Sequence, residues 1–125
     1  MIIVLFFASA VQAAPKADCR ETASTSYELS ECAHQHYLEA DRALNVQWRT
    51  TAVAAQRLNK AAYPRLLNGQ RAWLRYRDET CGWVKDAFGG TIAAMNFFDC
   101  MEDITRKRTE ELKMLATNPN SGEQL

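Results

Sequence analysis

Cys19, Cys32, Cys81 and Cys100 are the residues of this 125-residue chain with the widest choice of chemistry. A cysteine can attack a substrate, bind zinc or cross-link. Zinc sites draw on closely spaced pairs, and no Cys-x-x-Cys occurs here. An even count in a small exported chain points instead to two disulfides, which removes the thiol nucleophile. His34 and His36 stand two apart, so on a helix they face different sides. Metal ligands on one helix want a spacing of three or four. Beyond Ser9, the serines sit at Ser24, Ser26 and Ser30 and at Ser121, with no Gly-x-Ser-x-Gly elbow. Carboxylates are plentiful, but no catalytic pair can be placed. The expectation is a chain with no catalytic residue, no metal and no cofactor: not an enzyme.

The export reading comes from the first residues. Ile2 to Val11 is apolar and uncharged, too short to span a bilayer, and ends in small residues. Val11 and Ala13 occupy the positions that a signal peptidase reads, so residues 1–13 are expected to be a signal peptide. No Lys or Arg precedes the run; either the α-amino charge serves or the start lies upstream. The expected location is the periplasm or the exterior of a bacterial cell, without stable membrane insertion. Residues 14–118 then make one domain, and residues 119–125, rich in polar residues, a flexible tail.

The elements that would hold these residues are helical. Thr25-Ser-Tyr-Glu28 has the form of a capping box. Behind it Leu29, Ala33, His36, Ala40, Leu44, Gln47, Thr51, Ala54 and Leu58 recur in steps of three and four, with neither Gly nor Pro from Thr25 to Ala62. The spacing predicts one helix over roughly 26–60, about 50 Å long. Pro64 fits a first helical position and marks a new start. A second helix is expected over 64–85, with Leu66, Leu67, Gln70, Trp73, Leu74, Arg77 and Cys81 on its inner face. Gly69 within it is tolerable if a neighbouring helix packs closely. Gly89-Gly90 reads as a turn. A third helix comes next, to about Ala116, with Ala94, Phe97, Phe98, Met101, Ile104, Arg108, Leu112 and Leu115 as its stripe. Short connections make an antiparallel arrangement natural: all-α, one long helix packed against a two-helix hairpin. That layout pairs Cys19 with Cys32 and Cys81 with Cys100. Cys32 with Cys81 is also feasible, because all four cysteines gather at one end.

Several segments in this order resemble the LprI-type lysozyme-inhibitor family of the bacterial envelope. They are Tyr27-Glu-Leu-Ser-Glu-Cys32-Ala, Ala40-Asp-Arg-Ala-Leu-Asn45, Gln70-Arg-Ala-Trp-Leu-Arg-Tyr-Arg-Asp78 with Cys81, Gly89-Gly90 with Cys100, and Thr105 with Arg108 and Leu112. Trp48 stands where the family usually carries Tyr. The resemblance implies a helical, periplasmic or secreted protein and, for some members, inhibition of lysozyme. Its most specific segment contains Gln70, Trp73, Arg77 and Asp78. All but Asp78 share the core-facing step, so these residues are expected to be mainly structural, with Glu31, Asp41 or Asp103 as partner for a buried Arg77.

Net charge is zero, which gives no general attraction to nucleic acid, and the basic stretch from Arg42 to Lys85 is read as a solvated face. The charge is unevenly spread. Residues 14–32 and 78–103, the cysteine end, hold ten acidic and three basic residues, a net of −7 balanced by +7 elsewhere. Such a dipole steers association with a partner of opposite sign, and lysozymes of the animal type are usually strongly basic. The candidate partner-binding residues are Asp86, Phe88, Gly89, Gly90, Thr91 and Asp99. The expected function is inhibition of lysozyme by protein–protein contact. The alternative is a general envelope module that binds another periplasmic or cell-wall protein. The sequence carries no signature of oligomeric state.

Overall fold

A computed structural model describes residues 17–117 of the chain. The expected signal peptide (1–13) and flexible tail (119–125) lie outside those residues. Among them there are four helices and no strands: α1 (Cys19–Thr22), α2 (Ser26–Leu58), α3 (Tyr63–Phe88) and α4 (Ala93–Leu115).

Local chemistry sets the boundaries. The Asp18 side chain caps α1 by accepting from the Arg20 amide at 3.0 Å. Thr25 and Glu28 form the capping box of α2, each side chain accepting from the other residue's amide. Asn59 ends α2 and turns the chain, its side-chain oxygen accepting from the Ala62 amide. Pro64 lies in the first turn of α3, where its missing N–H costs nothing. Gly89 and Gly90 take φ of 54° and 77°, a region other residues resist, and end α3. α1, four residues without an apolar period, is an element the sequence pattern did not reveal.

Cross-helix contacts fix the directions. His34 meets Phe98 and Thr51 meets Leu112, so α2 and α4 run parallel. Gln70 meets Arg108 and Cys81 is bonded to Cys100, so α3 runs antiparallel to α4. Among the three long helices the most extensive packing joins α2 to α4; less joins α3 to α4, and least joins α2 to α3. Small residues explain the first of these. Ala33, Ala40, Thr51 and Ala52 of α2 are buried, with Leu44 among them, opposite Met101, Thr105, Thr109 and Leu112 of α4. Buried hydroxyls are satisfied along the backbone: Thr51 donates to the Leu112 carbonyl at 2.8 Å and Thr109 to the Thr105 carbonyl at 3.1 Å.

The inner face of α4 is therefore rotated from the expected apolar stripe. Thr105 and Thr109 lie inside, whereas Ala94 and Leu115 lie outside. Leu58 of α2 and Leu74 of α3 are also exposed, and Leu58 is the last residue of its helix. Gly69 needs a different reason from the expected one, because outside the backbone of its own helix no atom stands within 4 Å of where its Cβ would be. Close helix approach does not explain it.

Candidate functional site

The cysteine end is built from the start of α2, the end of α3, the start of α4 and the α1 strap. Cys19–Cys32 ties the strap to α2 with Cα atoms 5.7 Å apart, and Cys81–Cys100 closes the α3–α4 hairpin at 5.5 Å. Polar contacts also hold the strap, to α4 as well as to α2. Arg20 donates to Asp99 at 2.7 Å and lies 3.5 Å from Glu102; His36 Nε2 lies 3.2 Å from Asp18 Oδ1. Glu28 accepts from the backbone and hydroxyl of Ser24 and the backbone of Thr25. These bonds hold its carboxyl below the ordinary value of 4.5.

At the tip of this end, large apolar side chains face outward. Trp83 is 64% exposed, Phe88 70% and Ile92 44%. Trp83 and Phe88 meet edge to face, with ring centroids 6.1 Å apart. Glu79, Trp83 and Asp86 succeed one another on the outer face of α3, all exposed. Among the described residues, Glu21, Glu31, Glu79 and Asp86 make no salt bridge. The opposite end holds Arg42, Arg49, Arg57, Lys60, Arg65, Arg71 and Arg75 in the same condition.

A second cluster lies mid-bundle. Arg77 is 6% exposed. Its guanidinium donates to Asp41 at 3.2 Å, Thr105 at 3.3 Å and Asp78 at 3.0 Å, joining α2, α3 and α4. It also lies 5.1 Å from the Trp73 ring centroid and 5.5 Å from that of Tyr37. Arg108 approaches Trp73 at 5.9 Å, and its Nε donates to Gln70 at 3.0 Å. Burial pushes the Tyr37 phenol above its ordinary value of 10.0, with the Arg77 charge pulling the other way. Because α2 and α3 otherwise touch little, this network is their main link.

The profile of the lysozyme inhibitor LprI family matches residues 18–112, most of the chain. This protein belongs to the LprI family. An uncharacterized protein of Rhizobium meliloti (strain 1021) is 39% identical to it, over 81% of this chain and 80% of that one. No solved structure matches it.

In this LprI-family chain the matched span runs from the cap of α1 to Leu112, the last buried residue of α4. Gln70, Trp73 and Arg77 lie in the interhelical network, and Asp78 at its rim with a side chain 61% exposed. Of the expected contact residues, Asp86, Phe88, Gly90 and Thr91 are exposed and Gly89 half-buried. Asp99 lies apart from them in role, since its carboxylate is engaged by Arg20. Trp83 escaped sequence reasoning, although it was legible as a tryptophan off the stripe of Gln70, Trp73, Arg77 and Cys81. His36 does have a metal-type spacing, four residues from Cys32 and not two from His34. Among the described residues, no helix is long and apolar enough to cross a membrane.

Proposed function

We propose that this chain is a periplasmic or secreted inhibitor of lysozyme, acting by protein–protein contact through its acidic tip. The contact surface comprises Asp86, Phe88, Gly89, Gly90 and Thr91, joined by Trp83 and Ile92, with Asp99 at its edge. The observation that carries this reading is the exposed Trp83–Phe88 pair set among unpaired carboxylates. Exposed aromatic residues are the commonest anchors of protein interfaces, and acids around them suit a basic partner. Two nearby disulfides hold the tip in shape, which lowers the entropic cost of docking.

The test is clearance of a cell-wall suspension by an animal-type lysozyme in the presence of this protein. Inhibition is expected at low salt, weakening as salt screens the tip. Trp83→Ala combined with Phe88→Ala is expected to raise the inhibitory concentration by about tenfold or more, as for a lost aromatic hot spot. Absence of inhibition at about tenfold molar excess and low salt overturns the reading. Capture of a different cell-wall protein by the same tip would then favour the general envelope module.

A further inference from the structure

We propose that reduction of Cys19–Cys32 opens a zinc site formed by Asp18, Cys19, Cys32 and His36. The local sequence places the ligands. Cys32 and His36 lie one turn apart on α2, so both face the strap. Asp18 caps α1 and Cys19 begins it, and the strap crosses the same face. The two sulfurs, the Asp18 oxygen and the His36 nitrogen all lie within 4.8 Å of one another.

The geometry goes further than proximity. Zinc bonds of about 2.3 Å to sulfur and about 2.0–2.1 Å to nitrogen or oxygen give tetrahedral edges of about 3.5–3.6 Å from S to N or O, and about 3.3 Å from N to O. His36 Nε2 lies 3.6 Å from Cys19 Sγ, 3.8 Å from Cys32 Sγ and 3.2 Å from Asp18 Oδ1. Cys32 Sγ lies 3.7 Å from Asp18 Oδ1. These four edges already have nearly the length that the ion needs. Of the two remaining edges, the Cys19 sulfur already lies within 4.8 Å of the Asp18 carboxylate, and the sulfur–sulfur edge must open, from a bond of about 2.05 Å to about 3.8 Å. Cys19 can supply that movement, because α1 is four residues long and buries none of them. Cys32 stays fixed on the long helix, 4% exposed.

A second feature points the same way. Zinc-bound histidines usually offer their other ring nitrogen to a carboxylate, which orients the ring. His36 Nδ1 lies 3.9 Å from Glu102 Oε2, a near approach that a small ring shift turns into a hydrogen bond. Among the described residues, Cys81–Cys100 has no such surroundings. Each disulfide has one buried cysteine, but Cys19 is exposed whereas Cys100 is only half-exposed, so a reductant meets the strap disulfide first.

The chemistry balances simply. A dithiol gives two electrons and two protons to Cys19–Cys32 and departs as its own disulfide. Zinc then displaces one proton from each thiol to solvent, and binds two thiolates, one carboxylate and a neutral imidazole. The ion replaces the covalent tie between strap and bundle, so the fold survives the exchange. This inference stands independently of lysozyme binding.

The experiment is a Co²⁺ titration, then Zn²⁺ displacement, on the full chain treated with a non-chelating phosphine. Alkylation and mass measurement verify that Cys19–Cys32 alone has opened. The expected result is one ion per chain, with sulfur-to-cobalt charge transfer and tetrahedral visible bands, and an unchanged helical spectrum. Oxidised protein shows no such bands. His36→Ala should bind at least about tenfold more weakly, and Glu102→Gln, by loosening the ring, about tenfold more weakly. Binding by reduced protein no tighter than by a Cys19→Ser/Cys32→Ser variant overturns the proposal. So does undiminished binding by His36→Ala, or loss of helicity on reduction.

Discussion

Arg77→Met removes one guanidinium and keeps much of the stem that packs between the helices. The cost depends on how each partner fares without it. Asp78, with a side chain 61% exposed, simply hydrates. Asp41, 33% exposed, hydrates in part, so its lost ion pair is worth about 1 kcal/mol, near the surface value. Thr105, fully buried, loses a partner for its hydroxyl, at about 1 kcal/mol or more. The contacts with Trp73 and Tyr37 add about 0.5–1 kcal/mol each. Relief from burying a cation offsets some of this. The net expectation is about 2–3 kcal/mol, a large share of the roughly 5–15 kcal/mol typical of a domain. At about 4–5 °C per kcal/mol, the melting temperature should fall by roughly 8–15 °C. Thermal melts monitored by circular dichroism measure this. A double-mutant cycle with Asp41→Ala should return a coupling of about 1 kcal/mol. A fall under about 3 °C, or strict additivity in the cycle, would refute the idea that this network joins α2 to α3.

Gly69→Ala should stabilise the protein by about 0.8–1 kcal/mol, because the new methyl meets open space within a helix; a denaturant midpoint that fails to rise contradicts this. Glu28 gives a pH signature. Its folded-state pKa lies below the ordinary 4.5, so its contribution is full above that value and disappears as pH falls through the lowered one. Glu28→Gln should therefore be less stable than the parent near neutral pH. The two should converge as acidification carries the pH from 4.5 down through the lowered folded-state value, with parallel melting curves across pH as the contrary result.

Features that depend on neighbouring residues alone could be read from the sequence. The capping box at Thr25, the stop before Pro64 and the Gly89-Gly90 turn each act within four residues, and the helices begin and end close to them. The disulfide pairing came from helix direction, with one rival that only coordinates could remove. The rotation of α4 was hidden, because threonine is neutral in a periodicity argument until its hydroxyl is known to bond along the backbone. Asp41 as a partner of Arg77 was one of three carboxylates that the helical repeat allowed; the phase between helices chose it. Trp83 was legible as a tryptophan off the step of Gln70, Trp73, Arg77 and Cys81; its edge-to-face contact with Phe88 depends on the path of the turn and was not.

The tip carries a local cost that bears on its role. Asp86 lies in the last turn of α3, where the helix dipole is negative and disfavours an acid by about 0.3–1 kcal/mol at low salt. None of the residues three or four positions away is basic, and it makes no salt bridge among the described residues. An aspartate there weakens the fold without a visible structural return, a pattern typical of residues kept for function. Asp86→Asn should therefore act oppositely on two readouts. The melting temperature should rise by about 1–4 °C, since the unfavourable charge is gone. Lysozyme inhibition at low salt should weaken severalfold, and that loss should fade at high salt, where the parent's charge no longer helps. A variant both more stable and equally inhibitory would leave Asp86 without a part in recognition, and the acidic tip would then rest on Trp83 and Phe88 alone.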